Sequence, residues 1–266
     1  MNNRFFLKLA ASNIKKNSKT YIPYILTCIM TVTMFYIVKS LSMNPGLERM
    51  IGGDTLTSMM FFGSIIVGMF ALIFLFYTNS FLVKRRKKEF GVFNILGMEK
   101  SHLAKTLAWE NLYVTLISLA GGIIFGIALD KVMYLLILQV IGTDVTLGFF
   151  ISGKAVLTTV LLFIGIFLLI FLNSVRQIQT SDPIELLKAG NTGEKEPKTK
   201  LLTAISGAVC IGIGYYIALT TENPLASLIM FFAAVMLVIL GTYMLFTAGS
   251  IALLKMLRKN KKYYYK

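Results

Sequence analysis

The side chains best suited to chemistry in this 266-residue sequence lie in one hydrophilic stretch, where Glu99, His102 and Glu110 are close along the chain. A histidine beside carboxylates can act as a general base when a nucleophile and an orienting group accompany it. The stretch supplies neither, and Ser101 is well placed to cap the helix that begins there. We therefore predict no catalytic residue in this chain, and no enzymatic activity.

A second stretch, from Gly148 to Ala155, nearly spells the phosphate-binding pattern Gly-x4-Gly-Lys-Ser/Thr. That pattern needs a flexible backbone around the phosphates and a hydroxyl to hold Mg²⁺. Ala155 has no hydroxyl, and Phe149 and Phe150 are bulky where the backbone must wrap. We predict no nucleotide or other cofactor on this chain. With only two cysteines and one histidine, we also predict no metal site.

The composition identifies the environment of the chain. Hydrophobic residues make up 56% and charged residues only 15%, whereas an average soluble protein has roughly a quarter charged. Since a membrane-spanning helix needs about 20 apolar residues, six runs qualify. They are Tyr21–Leu41, Met59–Val83, Leu107–Leu129, Ala155–Leu172, Leu201–Leu219 and Leu225–Phe246. The predicted fold class is an all-α polytopic membrane protein with six transmembrane helices.

The distribution of basic residues predicts the orientation. Most of the 27 Lys and Arg residues fall in the N-terminal segment, the second and fourth loops and the C-terminal tail, which alternate with the spans. Basic residues concentrate on the cytoplasmic side, so both termini are predicted to be cytoplasmic. The net charge of +15 therefore indicates topology rather than nucleic-acid binding. The run Lys84–Lys88 is also suited to attract anionic membrane lipid.

Two segments beside the spans are open to interpretation. The apolar residues of the N-terminal segment fall roughly on one helical face, which favours an interfacial amphipathic helix on the inner leaflet over a frayed tail. They are Phe5, Phe6, Leu9, Ala10 and Ile14. After Asp130 and Lys131, the run Val132–Ile141 is too short to span. It is either a continuation of the third helix or an external interfacial turn.

Small residues recur every four positions in the third span, at Ser118, Gly122 and Gly126. Small side chains on one face let another helix approach closely, which is how helices associate in lipid. We predict a helix-packing face here, whose partner lies in this chain or in another.

The two large loops on the predicted cytoplasmic side each predict a short helix. In the second, Phe90, Phe93 and Leu96 form an apolar face and Gly97 suits a left-handed helix end. In the fourth, Asp182, Pro183 and Glu185 match a capping box, followed by apolar residues and Gly190. Short isolated helices are marginal in water. Each is expected to dock on another protein or on the ends of this chain's own helices.

These loops also carry a family resemblance. The stretch Lys84-Arg-Arg-Lys-Lys-Glu-Phe-Gly-Val-Phe-Asn-Ile-Leu-Gly-Met98, continuing to Trp109-Glu110-Asn111, resembles the FtsX-like permease domain of the MacB-type ABC transporter superfamily. Ser181-Asp-Pro-Ile-Glu-Leu-Leu187 is similar to the closing motif of that domain. The start, with Phe5-Phe-Leu-Lys-Leu-Ala10 and Tyr21-Ile-Pro-Tyr24, resembles more narrowly the N-terminal half of bacitracin-type antimicrobial-peptide resistance permeases.

The resemblance implies a permease subunit that couples a separate cytoplasmic ATPase, expected to be a dimer carrying ATP and Mg²⁺, to export, removal or sensing of antimicrobial peptides. The ATPase would bind the second-loop helix and the fourth-loop helix. The implied coupling residues are Glu89, Phe90, Gly91, Phe93, Leu96, Gly97, Asp182, Pro183, Ile184, Glu185 and Leu187. A sensor histidine kinase is a further implied partner. The alternative is a non-transporting signalling subunit that contacts such a kinase.

Permeases of the bacitracin type continue with a large extracellular domain and a second permease half. We therefore expect the substrate-recognising part to lie outside these residues, in a longer protein or in a separate chain. The predicted organisation comprises an interfacial helix over residues 1–20, a four-helix permease domain over 21–178 with a coupling loop at 84–106, a cytoplasmic loop over 179–200, two spans over 201–254 and a basic tail over 255–266.

Overall fold

The computed structural model describes residues 3–141, 151–180, 201–220 and 224–259, and its regular elements there are all α-helices. They are α1 (Asn3–Lys16), α2 (Ser18–Leu41), α3 (Pro45–Glu48), α4 (Gly53–Ile95), α5 (Lys100–Ile141), α6 (Gly153–Thr180), α7 (Leu201–Thr220) and α8 (Pro224–Lys259). Six of them, α2 and α4 to α8, are long and apolar enough to cross a membrane. The predicted all-helical fold with six spans is confirmed for the described residues.

The chain divides into two compact units, Met1–Gly193 and Glu194–Lys266. In the second unit, α7 and α8 cross at a pair of glycines. A Cβ on Gly207 would lie 2.9 Å from the carbonyl oxygen of Gly241, and a Cβ on Gly241 would lie 2.7 Å from that of Gly207. Only glycine fits both positions, because a side chain on either would contact backbone. α8 continues to Lys259, beyond the predicted start of the basic tail.

In the first unit, α2 packs closely against the small-residue face of α5. Ser118 is fully buried. A Cβ on Gly122 would lie 2.5 Å from Cβ of Val32, and one on Gly126 would lie 2.6 Å from the Tyr36 ring. The partner of the face predicted at Ser118, Gly122 and Gly126 is therefore a helix of this chain.

Of the two alternatives for Val132–Ile141, continuation of the helix is the one observed, since α5 runs unbroken to Ile141. Tyr134 and Leu138 on this extension are buried against Leu41 and Leu47. Asp130 is also buried, and its carboxylate accepts a hydrogen bond of 3.0 Å from Ser40. The extension is thus held by α2 and the segment that follows it.

The N-terminal helix differs from the prediction in what it covers. Phe6 and Ala10 are buried, and Phe6 stacks on His102 at the start of α5. Ile14 packs against the core of the spans, while Phe5 remains about half exposed. The apolar face of α1 is therefore partly buried and partly exposed, because Phe6 packs against the start of α5.

Candidate functional site: the α4–α5 hairpin and its polar anchor

The second loop was predicted as a basic run followed by a separate short helix, within a coupling loop at 84–106. The structure corrects this, because α4 continues through the basic run and ends only at Ile95. Gly97 has φ +90°, which confirms the predicted left-handed position after the helix end. α5 then begins at Lys100, so residues 96–99 alone connect the two helices.

The length of α4 takes it well beyond a bilayer. Its 43 residues give about 65 Å at 1.5 Å per residue, about twice the ~30 Å of the hydrocarbon core. α5 has 42 residues and is of similar length. The two helices therefore form a hairpin longer than a bilayer is thick, and its connection lies on the side of the N-terminal segment, where Phe6 of α1 stacks on His102 of α5.

A separate apolar cluster holds this projection together. Val83 and Phe90 of α4 pack with Leu103 and Leu107 of α5 and with Ile178 near the end of α6. Lys100 Nζ also donates a hydrogen bond of 2.8 Å to a carbonyl of α6, that of Gln179. The hairpin is thus braced by a third helix rather than extending alone into water.

This cluster divides the residues that were predicted to contact an ATPase. Phe90 is only 2% exposed, Gly91 is buried, and Phe93 packs against the cluster. Leu96 is 75% exposed, and Glu89 is partly exposed. Of the two predicted docking partners, another protein or this chain's own helices, Phe90 and Phe93 contact the chain's own helices. They therefore do not form one exposed face with Leu96.

Beside the cluster lies a buried ion pair that the sequence analysis does not predict. Arg86 of α4 and Glu110 of α5 are 4% and 2% exposed. The guanidinium binds the carboxylate through both terminal nitrogens, with Nη2 to Oε1 at 3.0 Å. Its plane also lies near the Phe90 ring, with Cζ 4.9 Å from the ring centroid. A bidentate pair of this kind fixes the register of the two helices.

Glu110 also accepts hydrogen bonds from the first two helices. Asn13 Nδ2 of α1 donates to Oε1 at 2.9 Å, and the Tyr21 hydroxyl of α2 donates to Oε2 at 2.7 Å. Arg86 Nη1 in turn contacts the Tyr21 hydroxyl. Every oxygen of this buried carboxylate is thus paired, as burial of a charge requires.

A second carboxylate extends the same network towards the surface. Glu89 accepts from Arg86 Nε at 3.1 Å and from Asn17 Nδ2 at 3.0 Å. We call the six residues of the network the polar anchor. They are Asn13, Asn17, Tyr21, Arg86, Glu89 and Glu110. The polar anchor joins α1, α2, α4 and α5 where the hairpin leaves the spans. Because its carboxylates already accept hydrogen bonds within the chain, its role is to hold these helices in position.

The grouping of Glu99, His102 and Glu110 noted in the sequence does not assemble. Glu110 belongs to the polar anchor, His102 stacks on Phe6 with ring centroids 5.7 Å apart, and Glu99 accepts from Ser101 at 3.1 Å. In the part of the chain that the structure describes, no group of three or more His, Cys, Asp or Glu could hold a metal ion. The fourth-loop residues 182–187 lie outside the described residues.

One sequence signal could have located Arg86. Leu82, Arg86 and Phe90 are spaced by four, so Arg86 occupies the apolar stripe of α4, whereas Lys84, Arg85 and Lys88 are exposed. A charge in an apolar stripe predicts a buried partner. Its identity does not follow from the sequence, since Glu110 lies 24 positions away on another helix.

Comparisons with known proteins agree with this architecture. A family model described as FtsX-like permease C-terminal matches residues 61–183, which include α4 from Phe61, α5 and α6. An uncharacterized ABC transporter permease, YvcS of Bacillus subtilis (strain 168), is 30% identical over 261 residues, covering 97% of this chain and 40% of that protein.

Two bacitracin export permease proteins named BceB are also similar. The one from Halalkalibacterium halodurans is 29% identical over 95% of this chain and 40% of its own length. The one from Bacillus subtilis (strain 168) is 27% identical over 96% of this chain and 41% of its own length. The chain thus spans about two-fifths of these relatives. With six helices able to span a membrane, it is a multi-pass membrane protein that contains an FtsX-like permease domain and is homologous to ABC transporter permeases.

Proposed function

We propose that this chain is the part of an ABC transporter permease that receives movement from a separate cytoplasmic ATPase through the tip of the α4–α5 hairpin. ATP and Mg²⁺ would be bound by the ATPase, and this chain would perform no hydrolysis. The relatives' names favour antimicrobial-peptide handling at the cell envelope as the process served.

One observation carries the proposal, which is an exposed apolar tip outside the predicted membrane. Val92, Ile95 and Leu96 are 47%, 65% and 75% exposed. They follow the basic run at residues 84–88, which is suited to the lipid headgroups and to water. Apolar side chains that neither lipid nor the chain's own helices cover favour a protein partner. The partner contact is therefore assigned to these residues rather than to Phe90.

The hairpin is also built to transmit movement. An α-helix without a break between the tip and the spans moves as one piece, and α4 has no internal proline. The polar anchor connects this rod to α1 and α2, so displacement of the tip would move both. The segment at residues 182–187 would supply a second ATPase contact. A second permease half and a sensor histidine kinase would complete the assembly.

The test places a charge on the tip without disturbing the hairpin cluster. Ile95→Asp and Leu96→Asp should each abolish co-purification with the partner ATPase, because a desolvated carboxylate at an apolar interface is costly. Asn94→Asp, which adds the same charge one residue away, is the control and should bind. Phe90→Asp is unsuitable because it would disrupt the cluster.

Thermal unfolding of each variant in detergent shows whether the fold is kept. If the folded Ile95→Asp and Leu96→Asp variants bind the ATPase as well as the original chain does, the tip is not the contact. Kinase co-purification that needs no ATPase would instead favour a signalling subunit.

A further inference from the structure

A buried lysine lies at the other end of the spans from the polar anchor. Lys39, in the last turn of α2, is only 5% exposed. A lysine near a helix end usually extends its ammonium group into water or headgroups. Lys39 instead places Nζ over the Phe61 ring, 4.3 Å from its centroid. Among the described residues, its ammonium group has no hydrogen bond and no carboxylate partner.

This lysine lines a cavity of about 330 Å³ between α2, α4 and α6. Most of the lining is apolar, including Phe35, Leu72 and Leu162. Leu72 is 38% exposed, so the cavity opens on the outer surface of the first unit, along a helix that is apolar enough to span a membrane. The cavity is thus an apolar groove with one cation, Lys39, at one end.

The other polar groups in the cavity do not neutralise that cation. Ser64 and Thr158 each donate to a helix carbonyl, at 2.6 Å to Phe61 and at 2.8 Å to Lys154. The Lys39 side chain is mostly buried, and the three hydrogens of its ammonium group have no acceptor among the described residues. The lining therefore suits a ligand that has an anionic group attached to an apolar body.

We propose that this cavity binds one anionic phospholipid, with its phosphate on Lys39 and an acyl chain between α2, α4 and α6. Lys39 lies two residues from the end of α2, which places it at headgroup depth. The positive-inside prediction assigns that end to the outer leaflet. The lipid would brace the three helices at the end opposite the hairpin, and its binding requires no ATPase.

The proposal is tested with the full chain, purified and delipidated in dodecyl maltoside. The probes are dioleoyl phosphatidylglycerol, dioleoyl phosphatidylcholine and inorganic phosphate, and the readouts are lipid retention by native mass spectrometry and the thermal unfolding midpoint. Lys39→Met removes the charge at similar length, and Lys39→Arg keeps it. Thr158→Phe fills the cavity and leaves Lys39 in place. Arg49→Met removes an exposed charge at the same end of the helices.

The original chain should retain phosphatidylglycerol about ten-fold or more better than Lys39→Met, since a hydrogen bond to a charged group is among the stronger ones. Lys39→Arg and Arg49→Met should retain it, and Thr158→Phe should lose it. Lys39→Met should be at least as stable as the original chain without lipid, because an unpaired buried charge is gone.

Three results would overturn the proposal. The first is equal retention of phosphatidylglycerol by the original chain and Lys39→Met. The second is equal loss in Arg49→Met, which would indicate general surface attraction. The third is stabilisation by inorganic phosphate alone that matches the lipid, which would make the site one for a free anion.

Discussion

The polar anchor leads to a prediction about the energy of the Arg86–Glu110 pair. In Arg86→Met, the buried Glu110 keeps its bonds from Asn13 and Tyr21 but loses its counter-charge. Breaking a buried pair by removing one partner costs about 3–5 kcal/mol. Glu110→Leu leaves Arg86 with Glu89 at 3.1 Å, a partly exposed carboxylate, but it also removes the acceptor of Asn13 and Tyr21. Its cost should therefore fall within the same range.

The double variant distinguishes pairing from simple packing. With both charges replaced by apolar side chains of similar size, the desolvation cost of each disappears. The donors of Asn13 and Tyr21 still lose an acceptor, at about 1–3 kcal/mol for each buried group, and Glu89 keeps only its bond from Asn17. We expect the double variant to lose less free energy of unfolding than the two single variants lose in sum.

The free energy of unfolding can be measured for all four proteins by titration with SDS in mixed micelles. The double-mutant cycle should give a coupling of at least about 2 kcal/mol, which is within the range for residues in one network. If the costs of the two single variants simply add, the pair does not act as a unit, and the described register of α4 and α5 is not held by it.

Two further predictions concern packing and orientation. Gly122→Val should lower the free energy of unfolding by about 1–3 kcal/mol, because its Cβ would lie 2.5 Å from Val32. Gly165→Ala should not lower it, because no atom lies within 4 Å of the added Cβ. Equal losses in the SDS titration would contradict the described α2–α5 contact. In a cysteine-free background, Arg49→Cys should react with a membrane-impermeant maleimide in intact cells and Lys88→Cys only after permeabilisation, and the reverse pattern would contradict the predicted topology.

The positions of the spans were predictable because each depends on local composition. A run of about 20 apolar residues has few alternatives in a bilayer, and the observed helices contain the predicted runs. The ends of the helices were less predictable. The basic run at residues 84–88 resembles a loop in composition, yet lysine and arginine are good helix formers. Burial of apolar side chains in the cluster around Phe90 stabilises the helical continuation.

The partners within the polar anchor could not be predicted from local sequence patterns. Cytoplasmic location is enough to explain five consecutive basic residues, so the composition of the run does not distinguish the buried Arg86 from its exposed neighbours. Glu110 was grouped with His102 because they are close along the chain. Its actual partners come from three other helices, and their meeting depends on packing angles that no local pattern encodes.

The continuous α4 changes what the hairpin can do. A flexible coupling loop would absorb a displacement of its tip, whereas a helix from Gly53 to Ile95 would carry the displacement across the whole bilayer. The two charged sites lie where that helix enters and leaves the spans, with Arg86 at one end and the Lys39 cavity at the other. Arg86 is paired within the chain and holds four segments together, whereas Lys39 has no such partner among the described residues. Movement of α4 would therefore leave the polar anchor intact and change the shape of the cavity, which makes the cavity the part of the bundle that can respond to the tip.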